Sequence, residues 1–251
     1  MCFDLDSAPP IPPISGAAVS HDDLVLEAPD GNRFAAFVAA PEGPFRVGVV
    51  ILPDVRGLYR FYEELALRFA ERGYAAVAFD YFGRTAGIEK RSDDFEYMPH
   101  VEQTSVEGVQ ADVAACVAHL RGIGCGTIFT VGFCFGGRNS WLAAAAGHGL
   151  AGAVGFYGRP GPGRDGSRGP TQRADDIAAP ILALMGGDDP GIPLEDVDAF
   201  DDALDRSGVE HEVVVYGGAP HSFFDRKHEE FAAESEDAWN RVLGFIDERA
   251  G

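Results

Sequence analysis

The chain has 251 residues, 46% hydrophobic and 24% charged, enough apolar material to bury a sizeable core in one large α/β domain. With 40 acidic against 20 basic residues, its formal charge of −20 argues against attraction to a nucleic-acid backbone or an anionic membrane. No apolar run approaches the length of a membrane span, and the opening MCFDLDSAPPIPPISG is acidic and proline-rich where a secretory leader is basic and apolar; a cytoplasmic protein with reduced cysteines is expected.

Residues 1–20 read as an irregular arm, because proline removes backbone donors and resists both helix and central strand. Residues 21–251 read as a single domain. The segment DLVLEAPDGNRFAAFVAAPEG places two apolar runs around Asp30 and Gly31, a hairpin signal. From Val47 onward, VGVVIL, AAVAF, TIFTVG, AGAVGFY, ILALMG and HEVVVY are short and continuously apolar. Strands covered on both faces of a parallel sheet read this way. Between them Leu58, Tyr62, Leu65 and Phe69 recur at helical spacing, as do Val106, Val109, Val113, Val117 and Leu120. A last helix carries Trp239, Val242, Leu243 and Ile246 on one face. Gly73 and Gly122 are the expected stops of the first two. Residues 158–180, rich in Gly and Pro, form one long irregular stretch that fits a functional loop or a plain surface insertion. The expected fold is α/β: a mostly parallel sheet covered by helices on both faces, opened by an antiparallel hairpin.

Ligand sites in such a sheet form beyond the C-terminal ends of the strands. After TIFTV comes Gly132-Phe133-Cys134-Phe135-Gly136-Gly137, the G-x-S-x-G nucleophile elbow with cysteine in the nucleophile's place. The N–H of Phe135 opens a helix, where it can face a developing oxyanion while the helix N-terminus favours thiolate over thiol. One oxyanion donor is worth about 3 kcal/mol of barrier. His221 falls in a loop past the last strand, and Asp188 and Asp189 fall past the preceding one. Nucleophile, acid, histidine is the chain order of α/β-hydrolases. The competing reading of Cys134 as a small core residue leaves Gly132, Gly136 and Gly137 without a purpose. A phosphate-binding glycine loop would need a Lys-Ser/Thr ending or G-x-G-x-x-G spacing, and GFCFGG has neither. Cys116 lies on an apolar helix face, Cys2 and Cys125 lie in irregular segments, and no spacing suits a metal.

The segments LPDVRGL, GYAAVAFDYFGR, VGFCFGG, GFYG, MGGDDPGIP and GAPHSFF stand in the order of the dienelactone hydrolase family, which the chain resembles from the hairpin to the final helix. The resemblance implies an α/β-hydrolase with a Cys-His-Asp triad that cleaves a small ester or enol-lactone, an anionic dienelactone among them, through an acyl-thioester. It makes Cys134 the nucleophile, His221 the base and Asp189 the acid, since DPGIP matches the family's Asp before an apolar-Pro pair; Asp188 is the alternative. It adds the Val55 amide to that of Phe135 as oxyanion hole, and gives Arg84 a substrate carboxylate, with a surface ion pair as the alternative. Tyr157 either lines the pocket or fills the sheet edge. Neither metal nor organic cofactor is implied, and the protein is expected as monomer or homodimer. Two positions depart from the pattern. Asp54 stands where the dienelactone enzymes have glutamate. Asp225, followed by Arg226, stands where a second carboxylate-binding arginine is expected, with Arg56, Arg138 and Arg159 as candidate substitutes. The other functions to weigh are a broad carboxylesterase or thioesterase, a hydrolase-like ligand-binding module without turnover, and a redox sensor with Cys125 or Cys116 as resolving thiol.

Overall fold

A computed structural model describes residues 8–92, 94–163 and 166–251. Eight strands form one sheet: β1 (Val19–Glu27), β2 (Arg33–Pro41), β3 (Val47–Leu52), β4 (Ala75–Phe79), β5 (Thr127–Phe133), β6 (Gly152–Phe156), β7 (Ile181–Gly186) and β8 (His211–Tyr216). Their spatial order is β1-β2-β4-β3-β5-β6-β7-β8. The hairpin pairs Val19 with Pro41 through to Glu27 with Arg33, and β2 is antiparallel to β4; the remaining neighbours are parallel. The hairpin turns at Asp30-Gly31 as expected, with Gly31 at φ 84°. The helices are α1 (Arg60–Ala70), α2 (Gly83–Ala86), α3 (Met98–Val101), α4 (Val106–Gly122), α5 (Phe135–Ala144), α6 (Leu194–Ser207) and α7 (Ala232–Arg249).

The continuous apolar runs are explained by two-sided burial. Along β3, Val47, Val49 and Ile51 join a cluster with Phe61, Leu65 and Phe69 of α1 and Trp239 and Val242 of α7. Val50 and Leu52 instead pack with Val109, Val113, Cys116 and Val117 of α4. Every residue of β3, β4, β6 and β7 is buried. Burying one such aliphatic side chain contributes roughly 1.5–3 kcal/mol, so this double-faced core dominates stability.

The structure corrects several details. HEVVVY is not buried on both faces: β8 is an edge strand, and Val215 is 42% exposed. Helix α4 runs through Gly122, and the chain reverses at Gly124, whose φ of 110° suits glycine. Helix α6 was hidden by its acidic composition, yet Val197, Phe200, Ala203 and Leu204 form a buried stripe at helical spacing. Within residues 158–180 a 3₁₀ turn spans Thr171–Asp176, and Pro160, Gly161, Gly169 and Pro170 are buried, so much of this loop packs down. Ile11, from the proline-rich segment, is buried in the main core. Cys2 lies outside the described residues. Among the described residues, no helix is long and apolar enough to cross a membrane.

Candidate active site

The side chains that chemistry needs arrive from the C-terminal ends of adjacent strands. Strand β5 ends at Phe133, α5 starts at Phe135, and Cys134 between them adopts φ 55°, ψ −112°. Positive φ is costly for a residue with a Cβ, so the surroundings must hold it. They do so by close backbone approach. A Cβ on Gly132 would lie 2.0 Å from the Gly136 carbonyl oxygen, and one on Gly136 would lie 2.0 Å from that of Leu52. The Cys134 N–H donates to Phe156 O at 3.0 Å. The glycines are therefore what lets the turn press against the ends of β3 and β6, with the thiol left partly accessible.

The loop after β3 lies against this turn. Asp54 is fully buried; its N–H donates to the Tyr62 hydroxyl at 2.9 Å, and its Oδ1 accepts from the Arg56 N–H at 2.8 Å. The Arg56 side chain folds back onto the same carboxylate, with Nη2 3.3 Å from Oδ2. This turn takes up the Arg56 amide and passes over that of Val55. Among the described residues, no acceptor is placed on the N–H of Val55 or of Phe135. Tyr81 steadies both segments, donating to Pro53 O at 2.7 Å and setting its ring edge-on to Phe135 at 5.0 Å. Burial, with the Asp54 charge next, holds the Tyr81 hydroxyl well above its ordinary range, so it remains a donor.

The acid and histidine loops are stitched together beyond β7 and β8, where Gly187 N–H donates to Tyr216 O at 2.8 Å and Asp188 N–H to Ala219 O at 2.9 Å. Asp188 points to solvent. Asp189 is buried, with Oδ2 2.6 Å from His221 Nδ1 and Oδ1 accepting the Gly191 N–H at 2.8 Å. Of the two candidate carboxylates, it is Asp189 that meets the imidazole. His221 is half-buried and followed by Ser222 at φ 66°.

Tyr157, just past β6, packs against the imidazole. It is fully buried at φ 36°, its ring lies 4.9 Å from that of His221, and its hydroxyl donates to Asp225 Oδ2. Asp225 also accepts the Arg226 N–H and is 1% exposed. Burial pushes its carboxyl up to about 7, against the Tyr157 hydrogen bond, and the charge on Asp54 adds to the rise. Among the described residues, Cys134, Tyr157 and Ser222 are the non-glycine residues at positive φ, and all lie around this edge of the sheet. Clustered strain of this kind marks functional sites.

Other expectations are redirected. Arg84 places Nη1 2.7 Å from Asp112 Oδ2 and Nη2 2.6 Å from Asp30 Oδ2. Both terminal nitrogens are thus committed to carboxylates that tie the hairpin turn to α4, the arrangement that the ion-pair alternative describes. Arg138 Nη1 donates to Arg159 O at 3.0 Å, and the side chains of Arg159 and Arg226 are exposed. Cys116 and Cys125 are buried thiols; burial raises the pKa of Cys116 well above its ordinary value and that of Cys125 to about 11. Among the described residues, no group of His, Cys, Asp and Glu is arranged to hold a metal. In the sequence Asp225 is marked only by standing four residues after His221, where the family resemblance expects an arginine.

A model of the dienelactone hydrolase family matches residues 34–249. An Escherichia coli protein that carries the provisional name carboxymethylenebutenolidase is 30% identical, the alignment covering 97% of this chain and 95% of the relative. The crystal structure of a provisionally named dienelactone hydrolase from Klebsiella pneumoniae superposes with a TM-score of 0.80 at 26% identity, over 92% of this chain and 99% of that one. A dienelactone hydrolase-like promiscuous phosphotriesterase from metagenomic libraries gives a TM-score of 0.76 at 25% identity, with the same two coverages.

Proposed function

The chain belongs to the dienelactone hydrolase family and is a hydrolase of esters or lactones; from that premise we propose that it works through Cys134, His221 and Asp189 by way of an acyl-thioester. The observation that carries this reading is the 2.6 Å contact from His221 Nδ1 to a buried Asp189, at the sheet edge where Cys134 is held at φ 55°.

With Nδ1–H donated to Asp189, proton transfer falls to Nε2. His221 takes the Cys134 proton, and Sγ forms a bond to the substrate carbonyl carbon as the π pair moves onto oxygen. The Phe135 and Val55 amides receive that oxyanion. Collapse restores the carbonyl and breaks the bond to the alcohol oxygen, which takes its proton from His221. Water, giving a proton to Nε2, then attacks the thioester, and the thiolate leaves with the carboxylic acid formed. For a lactone the new hydroxyl stays tethered to the acyl chain, so no fragment departs until water releases the whole hydroxy acid. Thiolate is a good nucleophile and a good leaving group, which suits activated esters and enol-lactones better than amides.

Intact-mass measurement during turnover of an activated ester tests the reading. The expected result is a single added acyl group on the wild type, absent in Cys134→Ala together with at least ~10³-fold of kcat/KM. Undiminished turnover by Cys134→Ala would remove Cys134 from the mechanism; stable acylation without turnover would favour a ligand-binding module.

A further inference from the structure

We propose that Asp225, held by the tyrosine that packs against His221, sets the charge preference of the reaction: esters and lactones that are neutral around the scissile carbonyl are accepted, and those with a carboxylate beside it are rejected. This selection presupposes the hydrolysis by Cys134 and His221 proposed above.

Two buried carboxylates, Asp54 and Asp225, lie on the loop that follows β3 and on the loop that carries His221. Asp54 shares its charge with Arg56. Asp225 has neutral donors on both oxygens, the Tyr157 hydroxyl and the Arg226 backbone N–H, while the Arg226 side chain points to solvent. Tyr157 links Asp225 to the imidazole: its ring lies 4.9 Å from that of His221, and its hydroxyl donates to Asp225. A buried tyrosine at φ 36° is expensive to keep, and this arrangement gives the strain a purpose. Asp225 feels the charges of both Asp54 and His221. Arg84 is bound to Asp30 and Asp112. A substrate carboxylate would bring a further negative charge toward Asp225, which has no cationic partner of its own among the described residues. At an effective dielectric of ~20, a unit charge about 6–8 Å from Asp225 is disfavoured roughly 30- to 100-fold. Water in the open site lowers this to about tenfold or more.

A pair of activated esters with the same leaving group and acyl length makes the test: para-nitrophenyl butyrate, neutral, and mono-para-nitrophenyl succinate, anionic. They are compared at about pH 8, where Asp225 is ionised. The wild type is expected to favour the butyrate in kcat/KM by about tenfold or more, beyond the ratio of the uncatalysed rates. Asp225→Asn should narrow that preference at least ~5-fold, chiefly by improving the succinate. A wild-type ratio near unity, or one favouring the succinate, overturns the proposal without any variant. A preference left intact in a folded Asp225→Asn also overturns it, because the discrimination then has another origin. Both of these failures leave Cys134-dependent hydrolysis standing. Absence of Cys134-dependent turnover of either ester would instead sink the mechanism, and the charge preference with it.

Discussion

Replacing Asp225 with asparagine should change stability in a way that reverses ordinary intuition about acidic residues. In the folded protein burial lifts the carboxyl from 3.8 to about 7. A raised carboxyl means that the folded state binds a proton the unfolded chain releases. Stability is therefore greatest at acid pH, falls as pH rises between about 4 and 7, and levels off above. The full loss is about 4 kcal/mol, at ~1.4 kcal/mol per pH unit. Asparagine cannot ionise, so the variant lacks this fall. At about pH 5 the unfolded carboxyl has already ionised, so roughly 1.5 kcal/mol of that loss is in place; set against about 1 kcal/mol for a hydrogen bond weakened by the amide, the two proteins should agree within about 1 kcal/mol. At about pH 8 the variant should be the more stable by about 2–3 kcal/mol, after allowance for one hydrogen bond weakened at Tyr157 or Arg226. Urea unfolding of both proteins at both pH values measures the difference, and other titrating groups cancel in it. Equal destabilisation of the variant at both pH values would refute the reasoning, because Asp225 would then be an ordinary ionised acid secured by its hydrogen bonds.

Gly136→Ala forces a Cβ to within 2.0 Å of Leu52 O and 2.3 Å of Pro53 O. Backbone must move, so about 1–3 kcal/mol of stability and at least ~10-fold of kcat/KM should be lost; a fully active, equally stable variant would show that the elbow does not depend on this contact. Arg84→Ala leaves the buried Asp112 with Asn32 as its remaining polar partner. It should cost about 1–2 kcal/mol in unfolding experiments, less than a fully buried pair because Arg84 is partly exposed, and alter kcat/KM equally for neutral and anionic esters. A selective rise in KM for the anionic ester would return Arg84 to substrate binding.

The division of labour between sequence and tertiary structure follows the range of each interaction. Burial on both faces leaves a run such as ILALMG unmistakable, a close turn demands Gly132 and Gly136, and an Asp30-Gly31 hairpin needs only its own neighbours. The strands, the elbow, and the chain order of Cys134, an aspartate and His221 were accordingly legible in the chain itself. Where the outer face of an element is solvated, the pattern blurs: α6 hid beneath its acids, and β8 read as a central strand because nothing local says which strand lies at an edge. The site's charges were less legible still. Asp188 and Asp189 are neighbours of the same chemistry, and only the meeting with His221, 32 residues on, separates them. Arg84 finds Asp30 and Asp112 across 54 and 28 residues, and Tyr157 finds Asp225 across 68. Local sequence decides backbone form because sterics and burial act on nearest neighbours; the fate of a charge depends on what the fold carries to within a few ångströms of it, and that was decided only in three dimensions.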